Sequence, residues 1–282
     1  METEATKILE QQRESWNAFS HGWKKWDDWV MKYIGPLKEE IIKHLNLKET
    51  DRVLDVATGT GEPGLSIAGI VKKGKVVGVD ISDKMIAIAE ENAEKKNLKN
   101  YKALVADVCE LPFENESFDA ISCRFGFMFF PDMQVAANEM ARVLTKDGRF
   151  ATSVWGKPEK NFWISSVMMS LSKNLELTPP PKGAPGIFRC SDSDQMKDIF
   201  KKAGFSEVEV KEVNSYGVAD SFEMFWQHMN DVAPPVAGAL SKADDGMKLK
   251  IKSEVADSFR KKYAQEKDIK LDYQAYLIYG KK

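Results

Sequence analysis

Between residues 52 and 155 short apolar runs alternate with amphipathic segments, and that alternation constrains the fold more than any other feature of the chain. "RVLDVA" is a strand-length run that ends in a glycine-rich loop, and "GLSIAGIV" starts a helix behind it. "KVVGVDI" is a second strand, followed by the helix-like "DKMIAIAEENAEKKN". "YKALVADV" and "FDAISCRF" are the third and fourth, "MQVAANEMARVL" is a helix, and "GRFATSVW" is a fifth strand after the turn "KDG". Strands alternating with helices of about ten to fifteen residues give a parallel sheet covered on both faces.

The flanks are mainly helical. Over residues 3–45 an apolar stripe begins at Ile8 and Leu9 and continues through Trp16, Phe19, Trp23, Trp26, Trp29 and Tyr33 at helical spacing. Gly22 and Gly35–Pro36 are expected to break it into two or three helices, with Leu37–Leu47 as the last. Beyond Trp155, Phe162–Leu177 reads as a helix and "TPPPKGAPG" as a loop. "SDSDQMKDIFKKAGF" reads as a helix with serine and aspartate caps and a stop at Gly204. "SEVEVKEVN" and "LDYQAYLIYG" complete a set of seven strands. The expected partition is a helical segment over 1–48, an α/β domain over 49–217 and 267–282, and a helical cap over 218–266 inserted before the last strand.

Composition removes several classes of function. The chain's 41 basic and 43 acidic residues give a formal charge of -2, where a polyphosphate partner favours a positive excess, so no nucleic-acid partner is expected. Cys109, Cys123 and Cys190 form no CxxC pair and the histidines no HExxH, so neither a metal site nor a disulfide framework is expected, and a reducing compartment fits. The acidic N-terminus is unlike a secretory signal, and no run approaches the roughly 18 apolar residues of a membrane span. A cytoplasmic location follows as the expectation. The tryptophan-rich "SWNAFSHGWKKWDDWV" in isolation fits a membrane-surface helix or a base-stacking platform, but Lys24, Lys25, Asp27 and Asp28 mix the charges of its face.

Glycines directly after a strand mark a close backbone approach to a ligand, and open parallel sheets bind ligands at strand C-terminal ends. In "LDVATGTGEPG", Asp55 ends the strand and Gly59 and Gly61 follow it. A P-loop would need lysine after the last glycine, where Glu62 and Pro63 stand and disfavour a pyrophosphate. Asp80, ending the second strand, is placed to accept hydrogen bonds from ribose hydroxyls, as an acidic residue of a dinucleotide-binding fold also would. Asp107 offers a second carboxylate at the same edge for an adenine amino group, with the Val108 amide beside it for a ring nitrogen.

Together these motifs resemble those of the class I S-adenosylmethionine-dependent methyltransferases of small-molecule type, similar to the ubiquinone/menaquinone-biosynthesis methyltransferases (the methyltransferase type 11 group). "VLDVATGTG", "VVGVDIS", "ADVCELPFENESFDAI" and "EMARVLTKDGRF" carry the resemblance. It implies a Rossmann-like seven-stranded mixed sheet with helices on both faces and an antiparallel last strand. It also implies an N-terminal helical lid and S-adenosyl-L-methionine as cofactor, with S-adenosyl-L-homocysteine as product. Asp55 and the loop Ala57, Gly59, Thr60 and Gly61 would hold the methionine end, Asp80 and Ile81 the ribose, and Asp107 and Val108 the adenine, with Met85 against its face. Glu62–Pro63 departs from the small or polar residues common there.

Methyl transfer from a sulfonium needs alignment and exclusion of water, and a base only where the acceptor is protonated. Cys123, Arg124, Phe125 and Gly126 should face the transfer chamber, Cys123 and Arg124 toward the cofactor, and the density of Phe127, Phe129 and Phe130 argues for an apolar wall. Trp23, Trp26, Tyr33, Phe125, Phe127 and Tyr216 are the expected acceptor-binding residues, and His21 and His228 the candidate bases. The expected activity is methylation of an oxygen or carbon of an apolar or aromatic small molecule by a monomer or homodimer. The rivals are a nucleic-acid (RNA) methyltransferase, though the chain has neither the "[DN]PP[YFW]"-like segment of amino-methylating DNA enzymes after the fourth strand nor an obvious accessory RNA-binding module, and an inactive cofactor-binding interaction protein.

Overall fold

The computed structural model describes residues 4–177, 181, 183–264 and 267–282. The chain opens with α1 (Glu4–Tyr33) and α2 (Gly35–Leu45), which precede β1 (Arg52–Val56). Then come α3 (Gly64–Ile70), β2 (Lys75–Asp80), α4 (Asp83–Lys95), β3 (Tyr101–Val105) and β4 (Phe118–Arg124). A 3-10 turn at Phe127–Phe129 leads to α5 (Met133–Val143), β5 (Leu144–Trp155), α6 (Phe162–Leu175) and α7 (Ser193–Lys202). The last elements are β6 (Ser206–Ser221), α8 (Phe222–Val232), α9 (Pro234–Leu240), α10 (Asp245–Tyr263) and β7 (Lys267–Lys281).

The seven strands form one sheet in the order β3-β2-β1-β4-β5-β7-β6. Strands β1 to β5 pair in parallel, and β7 lies antiparallel between β5 and β6. Alternation along β1 shows why its residues are apolar throughout: Val53 enters the core on one face, and Leu54 and Val56 the core on the other. Helices α2, α3 and α6 and the cap helices α8 to α10 pack on the first face, while α5 and α7 cover the second. Order reverses between β1 and β4, so their C-terminal loops diverge and open a crevice there.

Two expectations change. Helix α1 runs unbroken through Gly22, because that glycine is a contact and not a breaker. A Cβ at Gly22 would lie 1.8 Å from the carbonyl oxygen of Asp231 in α8, so its absence lets the two helices close on each other. Strand β6 continues to Ser221, so residues 218–221 pair with β7 and the inserted helices begin at Phe222. Positions 178–180 and 182 of the proline-rich loop, and 265 and 266 at the end of the expected cap, lie outside the described residues. No helix among the described residues is long and apolar enough to cross a membrane.

Candidate active site

The loop after β1 is built on a buried carboxylate. Asp55 is fully enclosed, and it accepts hydrogen bonds from Thr58 Oγ1 and Ser122 Oγ, each at 2.6 Å, and from the Gly64 amide at 3.1 Å. Burial pushes its pKa up to about 6 against the pull of these donors. The loop folds back over it with Gly59 and Gly61 at φ of 55° and 114°, and Gly61 donates to the Thr58 carbonyl at 2.8 Å. Ala57 and Phe125 also hold left-handed φ of 52° and 57°, strain placed where β1 and β4 end.

Asp80 ties two loops together. Its Oδ2 accepts from the Gly59 amide at 3.0 Å and its Oδ1 from the Ser82 amide at 2.9 Å. A carboxylate has about four acceptor sites, so both oxygens keep capacity for a ligand's hydroxyls. Burial raises the Asp80 pKa, with the backbone donors opposing. Arg124, at the end of β4, donates from Nε to the Glu62 carbonyl at 3.1 Å, while its Nη1 is enclosed without a partner. Its burial is countered by the charges of Glu62, Asp55 and Asp27. Glu62 is committed to structure, accepting from the Ser66 amide at 3.2 Å near the start of α3.

A cavity of about 480 Å³ lies against these loops. Ala57, Gly59, Thr60, Asp80, Ile81, Met85, Asp107, Val108 and Arg124 line one end, and Phe125, Trp23, Tyr33 and His228 line it farther out. Asp55 and Gly61 act from behind the loop instead of at its surface, and Cys123 is buried in the second-face core with its thiol pushed up to about 12. The cavity roof is α1, whose residues Leu9, Trp16, Trp23 and Val30 recur every seven positions along one edge. Side-chain hydrogen bonds at several positions hold that roof. Asn17 Nδ2 donates to Asp83 at 2.7 Å, Thr60 Oγ1 donates to Asp27 at 2.7 Å, and Lys25 Nζ and Trp26 Nε1 both reach Asp231 Oδ2, at 2.7 and 2.8 Å. At its C-terminal end the Tyr33 ring lies on Gly217, where a Cβ would fall 1.6 Å from Tyr33 Cδ2.

Of the expected base and acceptor residues, four stand elsewhere. His21 is exposed on the outer face of α1, since helical phase separates it from the edge that carries Trp23. Trp26 is turned to the cap by its bond to Asp231. Phe127 is fully buried between Phe130 and Phe200, with centroids at 5.3 and 5.0 Å, because the 3-10 turn sends it into the core and Phe129 to the cavity. Tyr216 is 51% exposed with the Lys270 ammonium 5.0 Å above its ring, since strand alternation gives the inward position to Gly217. His228 does reach the cavity wall, where burial holds its pKa down to about 3 and the imidazole is uncharged at neutral pH. The wall also includes Trp16, Trp155, Trp163, Met229 and Val232, which were not singled out in the sequence as ligand-facing. Only Trp16 carried a signal, its seven-residue spacing from Trp23.

Comparison with known proteins places the chain in a family. A demethylmenaquinone methyltransferase of Bacillus cereus (strain AH187) is 34% identical over 198 residues, covering 64% of this chain and 81% of the relative. That of Geobacillus kaustophilus is 29% identical over 199 residues, covering 64% and 82%. The crystal structure of the YcgJ protein from Bacillus subtilis shares the fold with a TM-score of 0.59 at 20% identity, covering 88% of this chain and 98% of that one. The family model described as a methyltransferase domain matches residues 47–210, more than half the chain and every strand from β1 to β5, and the chain belongs to that methyltransferase-domain family.

Proposed function

We propose that the protein transfers a methyl group from S-adenosyl-L-methionine to an oxygen or carbon of an apolar or aromatic small molecule. The observation that carries this is the division of one cavity. Its charged lining residues, Asp80, Asp107 and Arg124, all lie at the strand-end loops, and the remaining described lining is uncharged and rich in rings. Such a cavity suits a polar cofactor at one end and an uncharged acceptor at the other.

The residues present fit the cofactor. Asp80 has acceptor capacity left for ribose hydroxyls, Asp107 and the Val108 amide stand where an adenine edge would meet them, and Met85 lines the same end. The enclosed, unpartnered Nη1 of Arg124 suits the methionine carboxylate. Asp55 shapes the loop beneath. When bound, S-adenosylmethionine would supply an electrophilic methyl carried on a sulfonium. Helix α1, Trp23, Phe125 and Tyr33 exclude water and orient the acceptor. His228, neutral at working pH, lines the acceptor end and is placed to hydrogen-bond the acceptor.

The test is an assay of labelled S-adenosylmethionine against an acceptor panel that begins with demethylmenaquinone, the compound for which the Bacillus cereus relative is named, with products identified by mass spectrometry. Transfer to an uncharged acceptor is the expected result. Failure of S-adenosylhomocysteine to bind the protein in calorimetry would overturn the proposal.

A further inference from the structure

One side chain of the roof grips the turn that presents Asp80. Asn17, at the middle of α1, accepts at Oδ1 from the Ser82 hydroxyl at 2.5 Å and donates from Nδ2 to Asp83 Oδ1 at 2.7 Å. The Lys84 amide stands 3.5 Å from the same Oδ1. The turn between β2 and α4 is thus held at consecutive residues by a helix that precedes the whole sheet. The anchors Lys25, Trp26 and Asp27 fall elsewhere, on Asp231 of the cap and Thr60 of the glycine loop.

Ser82 carries the grip to the groups that face the ligand. Its backbone amide donates to Asp80 Oδ1 at 2.9 Å, and its hydroxyl oxygen caps α4 by accepting from the Met85 amide at 3.1 Å. Asp80 and Met85 line the cavity, whereas Asn17 and Ser82 stand behind it. Ser82 is fully buried with α1 in place, and the acceptor for its hydroxyl proton is Asn17. Both demands on position 17 call for a carboxamide: the Asp83 carboxylate needs a donor and the Ser82 hydroxyl an acceptor. Alanine would leave a buried hydroxyl unpaired, and aspartate would set two carboxylates against each other.

We propose that Asn17 is a positioning residue for the nucleoside half of the site, coupling closure of α1 to occupation of Asp80. A ribose held on Asp80 steadies the turn, and the turn holds α1 through Ser82 and Asn17. By linkage, α1 in place steadies the ribose site in return. An adenosine moiety therefore draws the roof down by itself, with the amino-acid end and the acceptor both absent. This rests on the assignment of the strand-end loops to S-adenosylmethionine.

The test uses adenosine, which has the nucleoside and lacks the amino-acid end, beside S-adenosylhomocysteine. Calorimetry on the full chain should show Asn17→Ala weakening both ligands by the same factor, about tenfold, the worth of a partner to one buried hydroxyl. Hydrogen exchange read by mass spectrometry should show saturating adenosine protecting α1 in the unaltered chain and not in Asn17→Ala. The double variant N17D/D83N restores the pair with donor and acceptor exchanged between helix and turn, and should regain most of the affinity and the protection. Adenosine affinity unchanged in Asn17→Ala would overturn the inference, even with a lowered melting temperature. So would equal protection of α1 in the two proteins, or a loss that the double variant does not mend. Failure of S-adenosylhomocysteine to bind the unaltered chain strikes instead at the methyltransferase assignment beneath it.

Discussion

Replacing Asp55 by asparagine tests the electrostatics under the cofactor loop. The carboxyl titrates near 3.8 when unperturbed and near 6 in the fold, where burial outweighs its three donors. Its folded pKa is the higher one, so the folded state keeps the proton at pH values where the unfolded chain has lost it. The stability it contributes is therefore greatest at low pH and is lost as pH rises through about 6. A gap of about two pH units at about 1.4 kcal/mol each sets a ceiling of about 3 kcal/mol. Between about pH 4.5 and 7.5 the change is about 2 kcal/mol. Asparagine does not titrate, and its amide turns one donor toward Thr58, Ser122 or the Gly64 amide, a penalty that is constant with pH. The stability advantage of the natural chain over Asp55→Asn should therefore shrink by about 2 kcal/mol across that range, measured by urea unfolding at each pH. A difference that stays level, or grows with pH, would refute the account of Asp55. The same titration reaches the proposed function, because the α-ammonium at the ligand's amino-acid end, held at the loop, favours the carboxylate. S-adenosylhomocysteine should bind more tightly as pH rises through about 6, and this dependence should vanish in Asp55→Asn.

Three further outcomes follow from the geometry. Asp80→Ala removes the acceptor of the Gly59 and Ser82 amides together with the proposed ribose contacts, and calorimetry should show S-adenosylhomocysteine binding weakened about thirtyfold or more. Gly217→Ala drives a methyl into the Tyr33 ring and should cost about 2 kcal/mol, read as a lower melting temperature; adding Tyr33→Ala should return part of the loss. Asp27→Ala frees the Thr60 hydroxyl and unpins α1 from the glycine loop, so the release of S-adenosylhomocysteine in stopped flow should quicken about fivefold at little cost in stability.

The central sheet was legible in the sequence because each strand reports its own environment. Buried on both faces, β1, β2 and β4 have little choice but to be apolar, and Asp55 and Asp80 stand out against that background. The ends of the parallel strands share one side of the sheet, so the candidate cofactor residues could be grouped before any contact was known. The acceptor end offered no such rule. Trp163 and Met229 come from helices far apart in sequence, and their meeting with Tyr33 in one cavity wall is a product of packing. Phase decided the near misses. One residue separates the exposed Tyr216 from the Gly217 that receives Tyr33, and two separate the buried Phe127 from the cavity-lining Phe129. Gly22 was misjudged for a related reason, since its lack of a side chain serves a neighbouring carbonyl that the sequence does not show.

Helix α1 spans 30 residues, which at 1.5 Å per residue makes a rod of about 45 Å with no joint. It is fastened at its middle, through Asn17, to Ser82 and Asp83, farther on, through Lys25 and Asp27, to the cap and the glycine loop, and at its end to Gly217. A stiff beam pinned at several points from its middle to its end cannot lift over one compartment and stay shut over the other. Entry and exit at the two ends of the cavity therefore share a single mechanical event, and the entropy of ordering the roof is charged once to whichever ligand arrives first, leaving the second to bind a chamber already built.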